Sequence, residues 1–153
     1  MNTITEYTTA LIGQAAVALL AAYALTTIHH VYGGLVDKAP NRLLVPIILA
    51  PFIVIAMVSL YLLQRSGNGI ALITFGTVAL LWTLLLGLLH GGYAHLYKDV
   101  LLLVGGPARL YYSLNPGEHY PPDNVFFEVT GALDLVAAAF VAATTLRLIH
   151  VWL

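Results

Sequence analysis

Hydropathy along the chain falls into four long apolar blocks separated by short polar breaks. A helix needs about 20 mostly apolar residues to cross the hydrocarbon of a bilayer. The blocks at roughly residues 8–32, 43–63, 70–97 and 125–152 all meet that length. Gly33-Gly34 reads as the stop of the first helix. In the second, Pro46 falls in the tolerated first turn, whereas Pro51 lies deeper and is expected to kink it. Arg65-Ser66-Gly67-Asn68-Gly69 reads as a tight turn. Asp123 or Asn124, following Pro121-Pro122, is the expected N-cap of the fourth helix. The expected fold is all-α: one membrane domain over residues 1–153, a four-helix transmembrane bundle running up-down-up-down, with a long loop at 98–124.

A weak internal repeat runs through this pattern. His30-Val31-Tyr32 is followed by Pro40-Asn41-Arg42-Leu43, and His95-Leu96-Tyr97 by Pro107-Ala108-Arg109-Leu110. Two repeated helical hairpins would give it.

Composition narrows the class. The chain is 60% hydrophobic and 8% charged, against roughly a quarter charged in a soluble domain. A net charge of −1 with no basic stripe gives no nucleic-acid signature. The absence of cysteine excludes disulfides, thiolate metal sites and iron–sulfur clusters. Any metal site must use histidine, carboxylate, tyrosine or backbone oxygen. The first block has no basic residues before it and is too long for a signal peptide, so it is expected to be a retained helix. Lys38, Arg42, Lys98 and Arg109 fall on one side of the bundle, and Arg65 and Arg147 on the other. This bias predicts both termini outside.

The chemistry-bearing residues fall at one end. His29 and His30 close the first block, His90 and His95 close the third, and Glu128 and Asp134 open the fourth. An up-down bundle brings those ends to the same face. Ionisable groups at membrane depth are costly, which makes such a cluster a site hypothesis. His30, His90, His95, Glu128 and His29 are the candidate metal ligands. His30 is the better inward choice of its pair, since it shares a face with Tyr23. His90 and His95 stand about 140° apart on an ideal helix. They are therefore expected to split, one in the site and one outside, unless Gly91-Gly92 permits a bulge. Glu128 and Asp134 are candidate acid–base groups, with Tyr32 or Tyr97 supplying a proton. Tyr93 and Arg109 are candidates for ligand contact. Asp123, Glu118 and His119 read as solvated loop charges, and Gly87, Gly91, Gly92 and Ala137–Ala143 as tight helix packing or a homo-oligomer face.

Ile28-His29-His30-Val31-Tyr32-Gly33 and Asn124-Val125-Phe126-Phe127-Glu128-Val129-Thr130-Gly131 resemble segments of small bacterial four-helix inner-membrane proteins without an assigned activity. The resemblance implies a bacterial inner-membrane setting and points to His30, Tyr32, Asn124 and Glu128, with Asn124 a further ligand contact.

Three readings stay open at this level. The first is an intramembrane metal site for zinc or iron, with haem between His30 and His90 as a variant, acting on a lipophilic substrate. The second is a metal-free pocket for a lipid, quinone or isoprenoid with acid–base chemistry. The third is a small proton-coupled transporter, against which the one-sided clustering argues.

Overall fold

The computed structural model describes residues 3–106 and 124–152. The helices are α1 (Thr3–Val36), α2 (Leu44–Ser66), entered by a 3₁₀ turn at Pro40–Leu43, α3 (Gly69–Leu103) and α4 (Val125–Trp152). All four are long and apolar enough to cross a membrane. The chain is an all-α, multi-pass membrane protein. Each helix packs against its neighbours in order, and α4 closes the ring between α1 and α3. The outer surface is apolar, with Ile47, Ile48, Val54, Phe140 and Leu146 exposed, as lipid contact requires.

Several boundaries depart from expectation, each for a packing reason. Helix α1 continues through Gly33-Gly34 to Val36. These glycines do not stop the helix. A Cβ at Gly33 would run into the Phe127 ring, and one at Gly34 into Leu43. The chain turns later, at Lys38, which adopts a positive φ of 53°. Helix α2 runs on through Pro51 and stops at Gly67, whose φ of 62° suits glycine. Helix α3 is capped by Asn68, whose Oδ1 accepts from Ile70 N and Ala71 N. It reaches Leu103, so Lys98–Leu103 is helix rather than loop. Asn124 caps α4, its Oδ1 accepting from Phe127 N at 3.1 Å. Asp123, the other candidate cap, lies outside the described residues, as do Glu118, His119 and the Pro107-Ala108-Arg109-Leu110 part of the apparent repeat.

The most consequential departure lies inside α3. Its first stretch, Gly69–Trp82, is α-helical, but Thr83–Tyr97 is π-helical over 15 residues. A π-helix bonds residue i to i+5, so positions five apart come to one face. Gly87 and Gly91 lie on the inner side of this stretch, against α4. A Cβ at Gly87 would collide with that of Ala138, and one at Gly91 with the backbone at Leu135 N and Gly131 O. Gly87 and Gly91, with Ala138 of the alanine-rich run, therefore join α3 to α4 within the chain.

The interior is divided along its length. One half is an apolar core that includes Leu11, Leu19, Leu60, Phe75 and Leu148. The other holds the buried histidines, Lys98, Glu128 and Asp134. Replacing Gly91 with valine should force α3 and α4 apart and cost about 1–3 kcal/mol. It should lower the thermal midpoint in detergent. Gly13→Val, where nothing lies within 4 Å of a new Cβ, should leave the midpoint unchanged. Equal midpoints for the two variants would refute the close contact.

Candidate metal centre

The π-helical register brings both α3 histidines to the interior. His95 is 3% exposed, and His90 turns to the same place. From α1 comes His29, which is fully buried. One nitrogen from each of His29, His90 and His95 lies within 4.8 Å of the others, close enough to hold a metal ion. Their ring planes are crossed. The interplanar angles are 70° for His29–His90, 88° for His29–His95 and 79° for His90–His95, with centroids 4.8 to 4.9 Å apart. An imidazole lone pair lies in its ring plane, so crossed rings can converge on one point.

The hydrogen bonds behind the rings fix two of the tautomers. Glu128 accepts from Lys98 Nζ through Oε1 at 2.6 Å and meets His95 Nδ1 through Oε2 at 2.7 Å. A carboxylate paired with an ammonium only accepts, so His95 Nδ1 carries the proton and Nε2 keeps its lone pair. Thr130 Oγ1 gives its hydrogen to a carbonyl of its own helix, with Phe126 O at 2.8 Å and Phe127 O at 3.1 Å. It therefore accepts from His29 Nδ1 at 3.0 Å, leaving Nε2 of His29 as the lone-pair nitrogen. Metal-bound histidines are characteristically held this way, with the outer nitrogen donating to a carboxylate or other acceptor.

Among the described residues, the buried polar atoms without a hydrogen-bond partner include Nε2 of His29, Nδ1 of His30, Nε2 of His90 and Oδ2 of Asp134. An unsatisfied polar group costs about 1–3 kcal/mol when buried in a protein, and no water reaches it within hydrocarbon. A cation among them would relieve that cost.

The structure corrects several expectations. His29, judged the outward member of its pair, is a full member of the trio. His30 is buried too, but it lies face to face on His90, with centroids 4.8 Å apart and planes 23° apart. Stacked rings have nearly parallel lone pairs and do not converge. The same stacking leaves no room for a macrocycle between them, so the haem variant does not fit. His90 and His95 do not split, because the π-helix supplies the distortion that an α-helix would have lacked. Glu128 is held on both oxygens, by Lys98 and by His95, and so stands behind the His95 ring. Lys98, expected to be a solvated topology determinant, is fully buried on Glu128. Among the described residues, Lys38 and Arg42 on the site side then balance Arg65 and Arg147 on the other.

The tyrosines fall outside the cluster. Tyr93 and Tyr97 stack on each other with centroids 5.8 Å apart, both on the outer face at 44% and 43% exposure. The register that turns the histidines in turns these rings out. Tyr32 packs on Phe126 at 4.5 Å. Asn124 is occupied as a helix cap rather than as a ligand contact.

Phe127 and Gly131 were not legible as site residues. Phe127 stacks on His29 at 4.1 Å and carries the Arg42 guanidinium 4.5 Å above its ring. Arg42 is itself paired with Asp37. Gly131 sits against the His95 ring, where a Cβ would overlap it.

No family model matches this chain, and no curated protein or solved structure matches it either. The site is therefore argued from its own geometry.

Breaking the Lys98–Glu128 pair tests the support of His95. Lys98→Met should cost about 3–5 kcal/mol, because it leaves a buried carboxylate without its counter-ion. Adding Glu128→Gln should recover most of that loss in thermal melts. A double variant no more stable than the single one would show that the ion pair does not hold this end of the bundle.

Proposed function

We propose that this is a membrane metalloprotein in which His29, His90 and His95 hold a divalent ion, zinc or ferrous iron, near one membrane face. We further propose that it binds or acts on a lipophilic molecule. The observation that carries the metal reading is the set of three crossed imidazoles, two of them buried and with tautomers set for ligation. Nitrogen and carboxylate donors without thiolate suit zinc and iron. Zinc–nitrogen distances of about 2.0–2.1 Å place neighbouring ligands about 3.4 Å apart in a tetrahedron. The trio, within 4.8 Å, would draw together slightly on loading.

Support for a lipophilic partner comes from position. The trio lies inside the membrane-spanning helices, and Leu88, Leu89 and Val129 expose apolar surface at its level. His90, with 22% of its side chain exposed, gives the cluster an opening. A bound ion supplies Lewis-acid polarisation or an activated water. The chain's own residues hold the ligands in place and exclude bulk solvent.

A metal-free acid–base site is the second reading, favoured by the approach of Asp134 Oδ2 to His90 Nε2 at 3.7 Å. Transport finds less support. Among the described residues, the far half of the interior buries no ionisable side chain. A bacterial inner-membrane setting with both termini outside remains part of the proposal, and the Lys and Arg asymmetry for it now rests on Arg109.

The first test is elemental analysis of untagged protein purified in mild detergent. About one zinc or iron per chain is expected, lost in His29→Ala and His95→Ala and retained in His30→Ala. Gly131→Ala should also lose metal while the protein stays folded, because the new methyl displaces the His95 ring. Wild-type protein that carries no metal and takes none up on reloading would end the metal reading in favour of the acid–base one.

A further inference from the structure

We infer that Asp134 is the fourth protein donor of this centre and the charge that selects a divalent over a monovalent cation. The inference rests on the metal reading and assigns a ligand and a selectivity to it.

Asp134 stands beside the mutually close trio and approaches it at His90. Its side chain is 1% exposed. Oδ1 accepts from Thr26 Oγ1 at 2.9 Å, which orients the carboxylate. Oδ2 has no partner and lies 3.7 Å from His90 Nε2, also unpartnered. That separation is too long for a hydrogen bond. It is close to the ligand–ligand edge of about 3.4 Å around a tetrahedral ion. His30, the competing donor, stacks parallel to His90 and cannot aim at the same point. Glu128 is held on both oxygens.

Charge gives the selectivity. Lys98 and Glu128 cancel each other, and the neutral trio contributes nothing. Asp134 is then the one carboxylate of the cluster without a fixed cation beside it. In a low-dielectric interior its attraction for an ion scales with the ion's charge. Three neutral imidazoles carry no charge with which to favour a divalent ion over monovalent copper. Adding the carboxylate tips the balance toward the divalent one. Four protein donors fill tetrahedral zinc, whereas six-coordinate iron keeps two positions for water or substrate.

The test titrates cobalt(II), and separately copper(I), into metal-free wild type, Asp134→Asn and Thr26→Ala. Wild type should bind about one cobalt(II) with the intense visible bands of four-coordinate geometry. Asp134→Asn should weaken cobalt(II) at least 100-fold and shift those bands, with copper(I) affinity changed less than 10-fold. Thr26→Ala, which keeps the carboxylate but frees it, should fall between. Cobalt(II) bound by Asp134→Asn with wild-type affinity and spectrum would overturn the fourth-donor assignment and leave the trio standing. No cobalt(II) bound by wild type would overturn the metal reading itself. Equal losses of cobalt(II) and copper(I) in Asp134→Asn would refute the charge selectivity. Thermal melts of both variants separate these outcomes from unfolding.

Discussion

Hydrocarbon offers no water to a buried polar group, and the polar half of this bundle follows from that constraint. Each charged or hydrogen-bonding side chain placed at depth must be satisfied by another from the chain. Glu128 takes Lys98 and His95, Thr130 takes His29, and Thr26 takes Asp134. These bonds tie α4 to α1 and to α3 at one level, where α4 serves as the common partner. Nitrogens of His29, His90 and His95 lie close together, and Asp134 Oδ2 approaches that of His90. With the outer nitrogens of His29 and His95 held, the three histidines are close enough to take a metal ion between them.

Backbone geometry makes that arrangement reachable. The π-helical stretch of α3 turns His90 and His95 to one side, where an α-helix would have separated them. Gly91 and Gly131 allow the α3 and α4 backbones to meet, and Gly131 also makes room for the His95 ring. Packing and chemistry thus depend on the same residues. A side chain added at Gly131 would displace the His95 ring itself. On the membrane-face side, Phe127 covers His29 and is covered in turn by Arg42.

The apolar half does different work. Leu11, Leu19, Phe75 and Leu148 fill it without a buried charge among them. Two grooves on the described surface, between α1 and α4 and between α3 and α4, are lined mostly by aliphatic side chains and by none of the histidines.

Much of this protein was set by composition and periodicity alone. Four apolar blocks of spanning length specify four helices, and their alternation brings the ends bearing His29, His95 and Glu128 to one side, because a bilayer admits few other arrangements. Depth along a helix is a matter of residue count, so Asp134 could be placed well inside the membrane from sequence. Rotation about each helix could not be counted out in that way. A single apolar block reads the same from every side, and the 100° step between His29 and His30 gives no sign of which faces inward. Only packing decided that His29 points to the interior, that Lys98 belongs to Glu128 rather than to the headgroups, and that the tyrosines turn outward. The π-helical register is likewise a tertiary outcome. It lets α3 place two histidines in the interior while keeping its backbone bonded, and no local preference in Thr83–Tyr97 foretold it beyond the glycines that made it possible.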